Sequence, residues 1–206
     1  ALGFYNGNNK QQPAILFEFY SNSLKDVIQS LDDSYLVSII YEICHAMMTA
    51  HLEDIIHRDL NPENIFVNFE NHAKIMNFTS TYIMTQKEQI KLDYDVFCLS
   101  KEFLENNEFT EKVDVFAFGV IMFYILTRGK GPFLSREDIL EGKKPKIPKY
   151  INRISFSIIS QCLSHSQEQR PSFKQLKNFI VKNNFKLIDG IENKINFIKD
   201  HLRSNQ

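Results

Sequence analysis

The stretch Ile55–Thr81, "IIHRDLNPENIFVNFENHAKIMNFTST", decides how the rest of the chain is read. It gathers His57, Arg58, Asp59 and Asn64 into a polar loop and then turns apolar at Ile65–Phe69 and again at Ala73–Met76. Two short apolar runs around the turn-like Glu70-Asn71-His72 predict a pair of strands. A loop of ionisable side chains beside them is where chemistry is sought first.

Working outward, the chain before the loop predicts a buried strand over Ala14–Phe19, a break at Ser21-Asn22-Ser23 and helical spacing over Leu24–Leu31. Leu36, Ile40, Ile43 and Met47 recur every three or four places and predict an amphipathic helix over Tyr35–Leu52. After a polar stretch at Thr79–Ser100, the segment Val115–Thr127 is apolar nearly all round and predicts the central helix. Further helices are expected over Arg136–Glu141, Ile154–Leu163 and Phe173–Lys182. The tail Lys186–Arg203 is helical in period, as a terminal helix or as a connector to another module.

Composition narrows the class. The 206 residues suit one domain or a large part of one, and 43% hydrophobic with 24% charged residues is a globular composition. A formal net charge of −1 gives no electrostatic case for nucleic acid or an anionic membrane. The apolar run Val115–Leu126 is too short to span a bilayer. Cys44, Cys98 and Cys162 lack metal or paired spacing, which predicts reduced thiols and a cytoplasmic setting. The chain starts at Ala1, and the expectation is a piece of something longer.

His57-Arg58-Asp59-Leu60, with Asn64 five places after the aspartate, resembles the catalytic loop of the protein kinases. Met76-Asn77-Phe78-Thr79 stands where that family carries D-F-G, and Ser100-Lys101-Glu102 where it carries A-P-E. Asp114 to Gly119 resembles the start of the family's central helix, and Gln169-Arg170-Pro171 the motif near its end. The wording "EFYSNSLKDVI" (18–28) and "DVFAFGVIMFYILTRGKGPF" (114–133) is similar to the tyrosine-kinase-like branch of serine/threonine kinases.

The resemblance implies an α+β, mostly helical, kinase-like fold reduced to the C-terminal lobe and hinge, with the N-terminal lobe largely absent. Residues 1–20 would be a remnant of N-lobe strands and hinge, 21–182 the C-lobe, and 183–206 a tail or connector. Phe17, Glu18 and Tyr20 match the nucleotide-binding hinge. No G-x-G-x-x-G occurs among the seven glycines.

By the same resemblance, Asp59 would orient a substrate hydroxyl and accept its proton, or serve only as an anchor within its own loop. Asn64 would hold a metal through its amide oxygen. Asn77 replaces the aspartate that holds the other metal, and Asn61 replaces the lysine that faces the transferring phosphate; Glu63 offers no substitute cation. An amide brings no charge to a hard cation. At an effective dielectric of about 20, a unit charge at roughly 4 Å is worth about 4 kcal/mol per unit of metal charge. Heavily discounted, that loss still slows a reaction about a thousandfold.

Arg58 would receive a phosphorylated hydroxyl, with Ser80, Thr81, Tyr82, Thr85 and Tyr94 as candidates. His57 and Phe78 match two members of an apolar stack, Asp114 a buried aspartate tied to the loop backbone, and Glu102 with Arg170 a buried ion pair. These framework residues are all in place. His45, His51 and His165 lack partners at ligand spacing and are expected to be ordinary packing or surface residues.

The expectation is therefore a pseudokinase-like signalling module that acts by binding a protein partner or an active kinase. ATP and Mg²⁺ are implied by the family, and Asn61 and Asn77 count against them. One alternative is an active serine/threonine kinase whose N-lobe lies upstream; another is a truncated gene product without independent function.

Overall fold

Helix α4 (Lys112–Leu126) forms the axis of the structure, because nearly every side chain on it is apolar and Val113 through Ile125 are all buried. The computed structural model describes residues 3–6, 14–16, 18–78, 81–83, 98–106, 110–132 and 134–205. Helix α2 (Asp33–Leu52) packs on α4, and so does α6 (Arg153–Cys162). Gly119 allows the α4–α6 approach: a Cβ there would stand 2.6 Å from Cys162 Cβ. Helices α7 (Phe173–Lys182) and α8 (Ile195–Ser204) pack on α2. One contiguous core joins Leu36, Ile40, Ile43 and Met47 of α2 to Phe118, Ile121 and Ile125 of α4 and Phe173 and Ile180 of α7.

Local chemistry fixes where the helices start. Asp32 accepts the Ser34 N–H at 3.1 Å, and Asn152 accepts the Ser155 N–H at 3.0 Å. Ser172 and Gln175 form a reciprocal capping box at α7. Each such cap contributes about 1 kcal/mol. The shorter helices are α1 (Leu24–Val27), α3 (Lys101–Asn106) and α5 (Arg136–Leu140).

The strands are short. β1 (Gly3–Tyr5) pairs antiparallel with β2 (Ala14–Leu16). β3 (Asn22–Ser23), β5 (Ile65–Val67) and β6 (Ala73–Ile75) form an antiparallel sheet in the order β3-β5-β6, with Ile65 opposite Ile75 and Val67 opposite Ala73. β4 (Ile55–Ile56) pairs with β7 (Tyr82–Ile83). The catalytic-loop-like segment therefore lies between β4 and β5.

Two helix expectations need correction. α1 stops at Val27, since Ser30 returns both its N–H and its hydroxyl to the Val27 carbonyl and Asp32 then starts α2. The tail is helical only from Ile195, after a 3-10 turn at Glu192–Lys194. Ile191 is buried and Ile188 partly buried from a loop that bends through Gly190 at φ 78°, so their spacing reflects burial rather than helix. Within the described residues no helix is long and apolar enough to cross a membrane.

Candidate functional site

Asp114, fully buried at the start of α4, organises the loop from below. Its carboxylate accepts the backbone N–H of His57 and that of Arg58, both at 2.9 Å. These bonds hold Arg58 at φ 67°, a left-handed conformation costly for a side chain of its kind. His51, at the end of α2, donates a third bond through Nε2 at 2.9 Å. His51 was expected to be an ordinary packing residue. It is instead part of the loop's foundation, reached by the fold across 63 residues of sequence and carrying no local spacing signal.

The ring of His57 is fixed at both nitrogens. Nε2 lies 2.9 Å from the Met76 carbonyl, which can only accept, so Nε2 carries the proton. Nδ1 then accepts the Asp59 N–H at 3.3 Å. Phe78 packs edge-on against the ring with centroids 4.8 Å apart. Phe78 is still 47% exposed, beside a cavity of about 240 Å³ lined by Met47, Ala50 and Ile75 among others.

Asp59 sits at the centre of an amide network. Asn61 Nδ2 donates to its Oδ1 at 2.9 Å. Asn64 Nδ2 donates to its Oδ2 at 2.8 Å, and Asn77 Nδ2 to the same oxygen at 3.1 Å. Asn77 Nδ2 also lies 3.2 Å from Asn64 Oδ1. The orientations are forced, because Asn61 Oδ1 is taken up by the N–H groups of Glu63 and Asn64 and a carboxylate can only accept. Asn77 reaches this position from φ 63°, which asparagine tolerates better than most residues.

The other expected residues are distributed around this centre. Arg58 is buried. Glu63 pairs with Lys25 at 2.6 Å, both exposed. Glu18 is exposed and accepts the Tyr20 hydroxyl at 2.6 Å; partial burial and then the Glu18 carboxylate push the Tyr20 phenol up to about 12. Phe17, Thr79, Ser80, Thr85 and Tyr94 lie outside the described residues, and of Tyr82 only the backbone is described. Thr81 follows Phe78 in a turn.

Glu102 and Arg170 meet away from the loop. Arg170 Nη1 and Nη2 donate to the two Glu102 oxygens at 2.5 and 3.0 Å. The rest of the guanidinium bonds the Ser164 and Lys112 carbonyls and faces the Phe116 ring. Burial raises the Glu102 carboxyl, but Arg170 and then smaller local hydrogen bonds together outweigh it, and the net shift is downward. The three cysteines are buried thiols.

A family model described as protein tyrosine and serine/threonine kinase matches residues 2–180. A LIM domain-containing serine/threonine-protein kinase of Dictyostelium discoideum is 29% identical over 194 residues, covering 87% of this chain and 30% of its own. A tyrosine kinase receptor of Drosophila melanogaster is 28% identical over 76% of this chain and 21% of its own. The mitogen-activated protein kinase kinase kinase dlk-1 of Caenorhabditis briggsae is 29% identical over 67% of this chain and 17% of its own. The chain thus spans less than a third of the length of these relatives. With a match over most of its length and a loop, central helix and ion pair arranged as above, the chain belongs to the protein tyrosine and serine/threonine kinase family.

Proposed function

We propose that this kinase domain acts by binding rather than by phosphoryl transfer, with 1–20 as hinge remnant, 21–182 as helical lobe and 183–206 as tail. The observation that carries the reading is the position of Asn77, whose amide N–H group bridges Asp59 Oδ2 and Asn64 Oδ1. Kinases of the family use ATP and Mg²⁺, and Asn64 and Asn77 stand where the metal would be held. Here Asn64 Oδ1 faces an amide donor, both Asp59 oxygens accept amide hydrogens, and among the described residues Asp59 is the only carboxylate in the network. A hard cation that favours several carboxylate or carbonyl oxygens does not fit such a set. Asp59 serves as the loop's anchor in this reading. The half-exposed Phe78 and the cavity beside it supply apolar surface for a protein partner.

A catalytic reading draws on Asp59 and on the kinase names of the relatives. Thermal unfolding with Mg²⁺, with ATP and with both separates the two. No shift that requires both ligands is expected. A shift of several degrees needing both, or transfer of the γ-phosphate to a peptide, overturns the proposal. The double variant Asn61→Lys with Asn77→Asp is expected to gain a Mg²⁺-dependent shift.

A further inference from the structure

We propose that Glu42, His72 and His201 form a proton-operated latch that holds α8 on the body of the lobe near neutral pH and releases it on mild acidification. The three residues come from α2, the β5–β6 turn and α8, and none belongs to the loop around Asp59.

Glu42 is the fixed point. It accepts the Ala73 N–H at 2.7 Å, His72 Nδ1 at 2.6 Å and Asn205 Nδ2 at 3.1 Å. His72 reaches α8 through Nε2, which lies 3.2 Å from Ser204 Oγ. His72 gives its Nδ1 proton to Glu42, so Nε2 is the accepting side of the ring, and the Ser204 hydroxyl is shared between Nε2 and the His201 carbonyl, 2.7 Å away. Lys74 donates to Asn205 Oδ1 at 2.8 Å. The end of α8 is therefore tied down by polar bonds, while Ile195, Ile198 and Leu202 bury its apolar face.

His201 lies flat on His72, with ring centroids 3.9 Å apart and planes 11° from parallel. One ring nitrogen faces the Asn71 backbone; Nε2 is buried and has no hydrogen-bond partner among the described residues. A proton added there finds no acceptor and sits against the face of a second imidazole. Parallel rings at this spacing also send their lone pairs side by side rather than to a common point. The cluster therefore suits a proton better than a shared metal ion.

Every neighbouring element contributes to the balance. Glu42 and Tyr35 face His201 from α2, His72 and Glu70 from the turn, while Asp200 and Arg203 of α8 pair with each other in solvent. Burial first and His72 second hold the His201 imidazole below its ordinary value of 6.5, and they outweigh Glu42, Glu70 and the Asn71 backbone, which pull the other way. For a depressed histidine the sign is fixed. Docking is strongest above the ordinary value, and weakens as pH falls below it, because the undocked helix takes up the proton more readily.

Hydrogen exchange of the whole chain, with chelator present, tests the latch at about pH 7.5 and about pH 5.5. After correction for intrinsic rates, amides 198–205 are expected to exchange severalfold faster at the lower pH, while α4 stays protected. His201→Phe keeps a ring without a titrating nitrogen and should abolish the difference; His201→Gln serves if the larger ring does not pack. Unchanged exchange at 198–205, equal acceleration in α4, or the same acceleration in both variants overturns the latch.

Discussion

Replacing Glu102 by alanine is expected to cost far more than an ordinary surface substitution, and the structure says why. The Arg170 side chain is 1% exposed, and two of its hydrogen bonds go to the carboxylate that would vanish. Charge-assisted bonds of this kind contribute about 1.5–3 kcal/mol each. Two of them give about 3–6 kcal/mol, which agrees with about 3–5 kcal/mol for stranding one partner of a buried pair. The Ser164 and Lys112 carbonyls and the Phe116 ring remain to solvate the guanidinium, which favours the lower half of that range. For a chain of this size each kcal/mol moves the melting temperature by about 2–4 °C, so Glu102→Ala should lower Tm by roughly 6–15 °C. Differential scanning fluorimetry at neutral pH measures it. Arg170→Met in the same background should recover part of the loss, because it removes the stranded charge and keeps the volume. A Glu102→Ala shift below about 2 °C, or no recovery in the double variant, would refute the reasoning.

The same pair sets an acid limit: with the Glu102 carboxyl held below its ordinary value of 4.5, its contribution is full above that value and fades as pH falls through the lower folded one. Melting scans taken downward in pH should show the gap between wild type and Glu102→Gln closing in acid. Asp114→Asn places an amide donor against the N–H groups of His57 and Arg58 and against His51, and should lower Tm by about 6–12 °C, from a loss of about 3 kcal/mol or more. Gly119→Ala forces a Cβ into Cys162 and should cost about 1–3 kcal/mol in urea unfolding, although alanine is the better helix former.

Much of the framework was legible because its signals are local. The period of Leu36, Ile40, Ile43 and Met47 places α2, the apolar run from Val115 places α4, and the limits of α7 coincide with the expected Phe173–Lys182. The strands beside the loop appear at Ile65–Val67 and Ala73–Ile75: the turn from Asn68 to His72 takes the end of the first run, and Met76, whose N–H goes to the Asn64 carbonyl, falls just past the second. Contacts between distant residues could be read where a family motif carried them, as for Asp114 and for Glu102 with Arg170, and not elsewhere. His51 meets Asp114 across 63 residues, and Glu42 meets His72 across 30, with no motif to announce either. The tail misled for a different reason: isoleucines every three or four places bury equally well from a bent loop, and periodicity does not separate the two.

The pairing of the two asparagines has its own electrostatic logic. Asn77 Nδ2 stands 3.1 Å from Asp59 Oδ2, so an aspartate at 77 would place a second carboxylate against the first. Two like charges about 4 Å apart repel by about 4 kcal/mol at an effective dielectric near 20, and such pairs do not both stay ionised without a cation. Where no metal is held, asparagine removes that repulsion and supplies a donor in its place. Asn61 completes the exchange: a lysine there would answer phosphate, whereas its amide both bonds Asp59 Oδ1 and, through Oδ1, caps the turn at Glu63 and Asn64. One anion and one cation leave together, so the loop keeps its formal charge balance. On this reading the bonds that preserve the shape of the loop are the same ones that occupy its metal-facing oxygens, so a change that frees the chemistry must first loosen the fold.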